Sequence, residues 1–150
     1  MPELGIVGRR PHEAEEATRD EIPADRWDAV AATVRARLRR SARRGRRIAY
    51  RTLIAGLPFS GPNSHALAEM LGEISTESVA AGGPMLSAVA VYLSSDERGT
   101  PGPGFYSLAT TLGRLAPNAG EVERYWFWRN EVQRCFGHAG RRHTTRSHAA

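Results

Sequence analysis

The chain has 150 residues, 41% of them hydrophobic and 25% charged, with 15 Gly and 9 Pro. That composition fits one globular domain with many turns and excludes collagen-like, low-complexity and wholly disordered chains. The formal charge is +5 and all 21 basic residues are arginine, which excludes roles that need lysine, such as a Schiff base.

The single cysteine, Cys135, cannot form an internal disulfide or a multi-cysteine zinc site. No apolar run approaches the roughly 18 residues that would cross a bilayer, and the N-terminus has no long apolar stretch, so no membrane partner is expected and the expected location is cytoplasmic. Residues 1–24 hold three prolines and little apolar periodicity and read as a flexible acidic arm. A single globular domain is expected over 25–137, followed by a flexible polar tail, 138–150.

From Asp25 the pattern turns helical. Trp27, Val30, Ala31, Val34 and Leu38 recur at three and four residues, Asp25 is placed to cap the first turn, and Gly45 is a natural stop. Ile48 and Tyr50 then alternate as in a short strand, and Leu53, Ile54 and Leu57 suggest one or two helical turns before Pro58 to Pro62 interrupts them. Asn63 or Ser64 can cap a further helix with its stripe on Leu67, Met70, Leu71, Ile74 and Ser78, ending at Gly82 and Gly83. The run MLSAVAVYL after Pro84 predicts a buried strand, and SSDERGTPGPG a long loop. Phe105, Leu108, Ala109 and Leu112 predict another helix, and Val122, Tyr125, Trp128, Val132 and Phe136 a last one.

This order predicts a mainly helical α+β domain with a small sheet and additional N- and C-terminal helices, organised like a winged helix-turn-helix. The stretches RIAYRTLIAGL, NSHALAEMLGEI and GGPMLSAVAVYLSSDERGTPG resemble, over 55 to 60 residues, the DNA-binding half of alkylguanine-DNA alkyltransferases and alkyltransferase-like proteins. The resemblance implies that Tyr50 is the family's strand-end tyrosine, that Asn63 to Leu71 is the recognition helix, and that Ser94 to Gly104 is the wing. The family's reactive cysteine and histidine-arginine pair are replaced here, around Pro84, by Met85, Leu86, Ser87 and Ala88. Alkyl transfer is therefore not implied.

Charge is strongly segregated along the chain. Residues 1–28 carry a net −4, residues 29–68 carry nine arginines and no acid, and residues 69–97 carry five acids and no arginine. Such a block of cations suits a polyanion, so nucleic acid is the expected partner, DNA ahead of RNA. Candidate nucleic-acid contacts are Arg39, Arg40, Arg43, Arg44, Arg46, Arg47 and Arg51, together with Ser64 and His65 at a helix N-terminus and Arg98 at the loop tip. For Asn63 and Ser64, turn and capping chemistry is the alternative use.

A different reading makes the same charges internal or intersubunit. Arg35, Arg39 and Arg43 are spaced four apart, as are Glu69, Glu73 and Glu77, so two antiparallel helices could match the stripes. In that case the chain is a protein-interaction or assembly module, a homodimer among the options, with Glu69, Glu73, Glu77, Trp126 and Phe127 as interface residues. Tyr125 and Trp128 share the Val132 stripe and are expected in the core. The histidines at 12, 65, 138, 143 and 148 form no paired-histidine helix motif, so no cofactor, metal or catalytic residue is expected. An enzyme using Glu69 or Glu73 as a general base is the third reading.

Overall fold

The computed structural model describes residues 22–93 and 99–149, with side chains described as far as residue 140. Along the chain come α1 (Ala24–Arg43), β1 (Ile48–Ala49), α2 (Tyr50–Leu53), α3 (His65–Ala80), a 3-10 turn (Leu86–Val89), β2 (Ala90–Val91), α4 (Pro103–Thr111) and α5 (Glu121–Ala149). The architecture is α+β and mainly helical, with β1 and β2 paired in parallel, Ile48 opposite Ala90 and Ala49 opposite Val91.

Helix α1 buries Val30, Ala31, Val34 and Leu38, the face its spacing predicts. Its start differs from expectation. Pro23 occupies the N-cap position with φ −56° and ψ 146°, and its carbonyl accepts from the Arg26 and Trp27 amides. The proline's fixed φ begins the helix one residue early, leaving Asp25 in the first turn, where the helix dipole still favours a negative charge. The end follows the sequence signal. Gly45 adopts φ 65°, its amide bonds to the Ala42 carbonyl, and the Arg46 amide reaches back to Ser41, which is a Schellman closure.

Helix α3 starts at Ser64, whose hydroxyl accepts from the Leu67 amide at 3.2 Å. It buries Ala66, Leu67, Met70, Leu71, Ile74 and Ser75. The following segment departs from the predicted strand. Only Ala90 and Val91 pair in a ladder, and Leu86–Val89 coil into a 3-10 turn, although every residue from Gly83 to Val91 is buried.

A buried backbone away from a ladder needs other partners, and side chains of the neighbouring helices supply them. The Met85 amide donates to Glu131 Oε2 at 2.8 Å, and Cys135 Sγ donates to the Met85 carbonyl at 3.4 Å. The Ser87 amide donates to Ser75 Oγ at 2.9 Å, and Trp128 Nε1 donates to the Ala88 carbonyl at 2.8 Å. A continuous apolar run does not by itself distinguish a strand from other buried backbone, which is why the sequence pattern misled.

Helix α5 continues to Ala149, through the segment expected to be a polar tail. Its buried stripe is Trp128, Glu131, Val132 and Cys135, so Val122 and Tyr125 do not belong to the core. They precede Trp128, where the buried stripe of α5 begins, and they stand exposed. Beyond β2, an antiparallel bridge between Tyr92 and Thr100 brackets residues 94–98.

Candidate nucleic-acid interface

The arginine block divides into two groups. Arg37 donates from Nη1 to the Leu53 and Ala55 carbonyls, both at 2.8 Å, and so closes the C-terminal end of α2. Arg35 pairs with Glu77 at 2.9 Å. Arg47 donates to the Gly99 carbonyl at 3.1 Å and lays its guanidinium over the Trp128 ring, 5.7 Å from the centroid. Arg39 also has a partner.

Arg40, Arg43, Arg44, Arg46 and Arg51 form the second group. All five are exposed, and their side chains meet no carboxylate among the described residues. Arg40 and Arg43 occupy the last turn of α1, where the negative end of the helix dipole favours cations, and Arg44 follows as its C-cap. The Schellman closure then turns the chain so that Arg46 precedes β1 and Arg51 follows it. One short corner of the fold thus gathers five guanidiniums.

The acidic stripe of α3 is exposed, and two of its three carboxylates reach α1. Glu73 accepts from Trp27 Nε1 at 3.1 Å and Glu77 takes Arg35, while Glu69 also has a partner. Ser64 is buried, with its hydroxyl committed to the cap, so it fills the capping role and does not offer that group to a ligand. His65 beside it is exposed and has a partner. Arg98 lies outside the described residues.

A cavity of about 440 Å³ opens beside the N-terminus of α3, lined by Tyr50, Asn63, Ser87, Tyr92, Gly102 and Phe105 among others. Tyr50 and Tyr92 meet edge to face at 4.7 Å. Tyr92 donates its hydroxyl to Asn63 Oδ1 at 2.6 Å, and the Gly102 amide donates to the Tyr50 hydroxyl at 3.0 Å. Burial pushes the Tyr50 phenol up to about 12, which keeps it protonated at neutral pH. The site therefore presents neutral hydroxyls and aromatic edges rather than charge.

The aromatic cluster of α5 splits as well. Trp128 is buried, and Phe127 is half-buried against Phe105 at 5.9 Å, so Phe127 serves the core more than an outer surface. Trp126 is 56% exposed, Tyr125 40% and Val122 71%, which makes one apolar face of the helix. Tyr125 touches both neighbouring rings, Trp126 at 5.4 Å and Trp128 at 6.0 Å, and Arg129 donates to its hydroxyl at 2.8 Å.

One feature escaped sequence reasoning. Glu131 is buried to 2% exposure and accepts from Arg114 at 3.1 Å and Arg134 at 2.6 Å as well as from Met85. An acid interrupting an apolar stripe was the available signal. Cys135 sits beside it, its thiol pushed up to about 12 by burial and by the Glu131 charge, so it is an inert core group rather than a nucleophile. Among the described residues, no group of three or more His, Cys, Asp or Glu is placed to hold a metal ion, and no helix is long and apolar enough to cross a membrane. Compared with known proteins, the chain matches no family model, no curated protein and no solved structure.

Proposed function

We propose that this chain binds nucleic acid, DNA ahead of RNA, without catalysing a reaction on it. Arg40, Arg43, Arg44, Arg46 and Arg51 make the phosphate contacts. The observation that carries this reading is the corner itself: five exposed guanidiniums within twelve consecutive residues, with no carboxylate against them among the described residues. Each phosphate they neutralise releases counterions, so affinity comes from that release and falls as salt rises.

The direction of the α3 carboxylates supports the same reading. Glu73 and Glu77 turned toward α1 do not oppose a phosphate backbone approaching from elsewhere. The finer organisation follows the resemblance to alkyltransferase-like DNA-binding domains. Tyr50 stands at the end of β1, α2 and α3 serve as the helix-turn-helix, His65 faces the groove, and Ser94 to Gly104, of which 99–104 are described, serve as the wing.

The test is a titration of a fluorescein-labelled DNA hairpin with the full chain at low and moderate salt. Binding should weaken by several orders of magnitude between about 50 and 200 mM salt if all five cations engage, and R40A/R43A/R44A should bind more weakly with a shallower salt slope. Binding that ignores salt, or the same affinity in the triple variant, overturns the proposal.

One observation favours a second reading, the assembly module: the exposed Val122, Tyr125 and Trp126 face on α5. It requires a concentration-dependent mass in solution and no salt-sensitive binding of nucleic acid.

A further inference from the structure

The exposed aromatic face is linked to the cationic corner through the buried ring of Trp128. Arg47, which follows Arg46, lays its guanidinium on Trp128. Trp128 is edge to face with Tyr125, and Tyr125 is edge to face with Trp126. Arg129 sits over the Tyr125 ring, 5.7 Å from its centroid. An unbroken run of contacts therefore leads from Arg46 to two rings that present 40% and 56% of their surface to solvent.

Exposed tryptophan and tyrosine alone suit many partners. What narrows the choice is the charge around them. Arg47 and Arg129 already lie against the rings, and the corner beyond Arg47 carries cations with no carboxylate partner among the described residues. Glu121 and Glu123, in the first turn of α5, bound the run on the opposite side. A polyanion crossing the rings is therefore drawn toward α1 and away from the start of α5.

A base pair inside a duplex has both faces stacked and cannot offer one to a side chain, whereas an unpaired nucleotide can. Resting on the reading that the chain binds nucleic acid, we propose that the exposed Trp126 ring, braced edge to face by Tyr125, is the stacking surface for an unpaired nucleobase whose strand runs its phosphates along Arg46, Arg44, Arg43 and Arg40. The preferred ligand is then single-stranded nucleic acid, or the unpaired stretch of a partly paired one. The shared chemistry is a phosphodiester chain with an exposed base face, in DNA or in RNA.

The test compares fluorescein-labelled oligo-dT, oligo-U and a blunt DNA hairpin of equal charge whose loop is a non-nucleotide linker, so that every base is paired, each titrated with the full chain and with W126A, Y125A/W126A and R40A/R43A/R44A. Wild type should bind the single strands more tightly than the hairpin. W126A should weaken single-strand binding by about tenfold or more and leave hairpin binding unchanged, since stacking on one ring accounts for that much. The arginine variant should weaken all three probes. The ratio of oligo-dT to oligo-U affinity assigns the sugar.

Because Trp126 is exposed, its removal should leave the thermal midpoint in place, and Y125A/W126A repeats the result from a second side chain. Equal single-strand affinity in wild type and W126A overturns the platform while leaving the phosphate site standing, as does an equal loss on hairpin and single strand. Failure of wild type to bind any of the probes overturns both readings. A dimer that W126A dissociates, without any effect on nucleic acid, assigns the face to a second copy of the chain and also overturns the platform.

Discussion

Two regions of the molecule handle polar groups in opposite ways. Around Met85 to Ala88, backbone amides and carbonyls are buried, and Glu131, Cys135, Trp128 and Ser75 reach in to satisfy them from two different helices. At the end of α1, Arg40, Arg43, Arg44, Arg46 and Arg51 carry full charges into solvent with no carboxylate among the described residues. The first arrangement contributes to holding the fold, because each of its groups would cost free energy if left alone in the interior. The second adds little to stability, since water already solvates it. A ligand that brings phosphates to that corner displaces mobile counterions instead of breaking internal bonds. The contrast separates residues retained for architecture from residues available for recognition.

The contrast breaks most visibly at Glu131. Its carboxylate is the meeting point of Met85, Arg114 and Arg134, and its side chain is 3% exposed. Glu131→Ala leaves a buried amide and a mostly buried guanidinium without their acceptor, and should cost about 3–5 kcal/mol. Glu131→Gln keeps one acceptor oxygen and should cost less. Urea unfolding followed by circular dichroism measures both, and a change under about 1 kcal/mol for the alanine variant would mean that the Met85 segment is not a structural hub.

High pH probes the same interior with a smaller effect. Burial raises Cys135 from 9.0 to about 12 and Tyr50 from 10.0 to about 12. The unfolded chain therefore loses these protons first. Stability contributed by the neutral thiol and phenol is complete below about pH 9 and is lost progressively as pH rises toward 12. The chain contains no lysine, so the titration that usually crowds this window is missing. Unfolding free energy should stay level up to about pH 9 and decline above it, with Cys135→Ala removing the earlier part of the decline. An unchanged pH profile in that variant would show that the thiol titrates alike in both states.

The periodic elements were legible because burial follows spacing. Val30, Val34 and Leu38 on α1, and Leu67, Met70 and Ile74 on α3, are core residues at the positions the pattern marks, with Gly45 and Gly82 ending the helices as expected. The segment after Pro84 was not legible, because its backbone is satisfied by side chains 40 to 50 positions away, at Glu131, Cys135 and Trp128. Periodicity also assigned Tyr125 and Val122 to the core, since it cannot tell where along a long helix the neighbours stop. Of the candidate site, the arginine count was plain in the sequence. Which guanidiniums are already used was not, for Arg37 binds carbonyls 16 and 18 residues away and Arg47 binds a carbonyl 52 residues away.

The smallest effect sharpens the comparison furthest. Arg35 and Glu77 form an ion pair whose side chains are 27% and 65% exposed, so solvent screens it and its loss should cost only about 0–1 kcal/mol. Arg35→Ala should therefore lower stability slightly, by an amount that shrinks at high salt. R40A/R43A/R44A should instead leave stability within about 0.5 kcal/mol of wild type. Denaturant midpoints at two salt concentrations separate the outcomes. If the triple variant lost far more than Arg35→Ala, those three arginines would be structural after all, and the distinction between a committed interior and an available corner would fail where the proposed function depends on it.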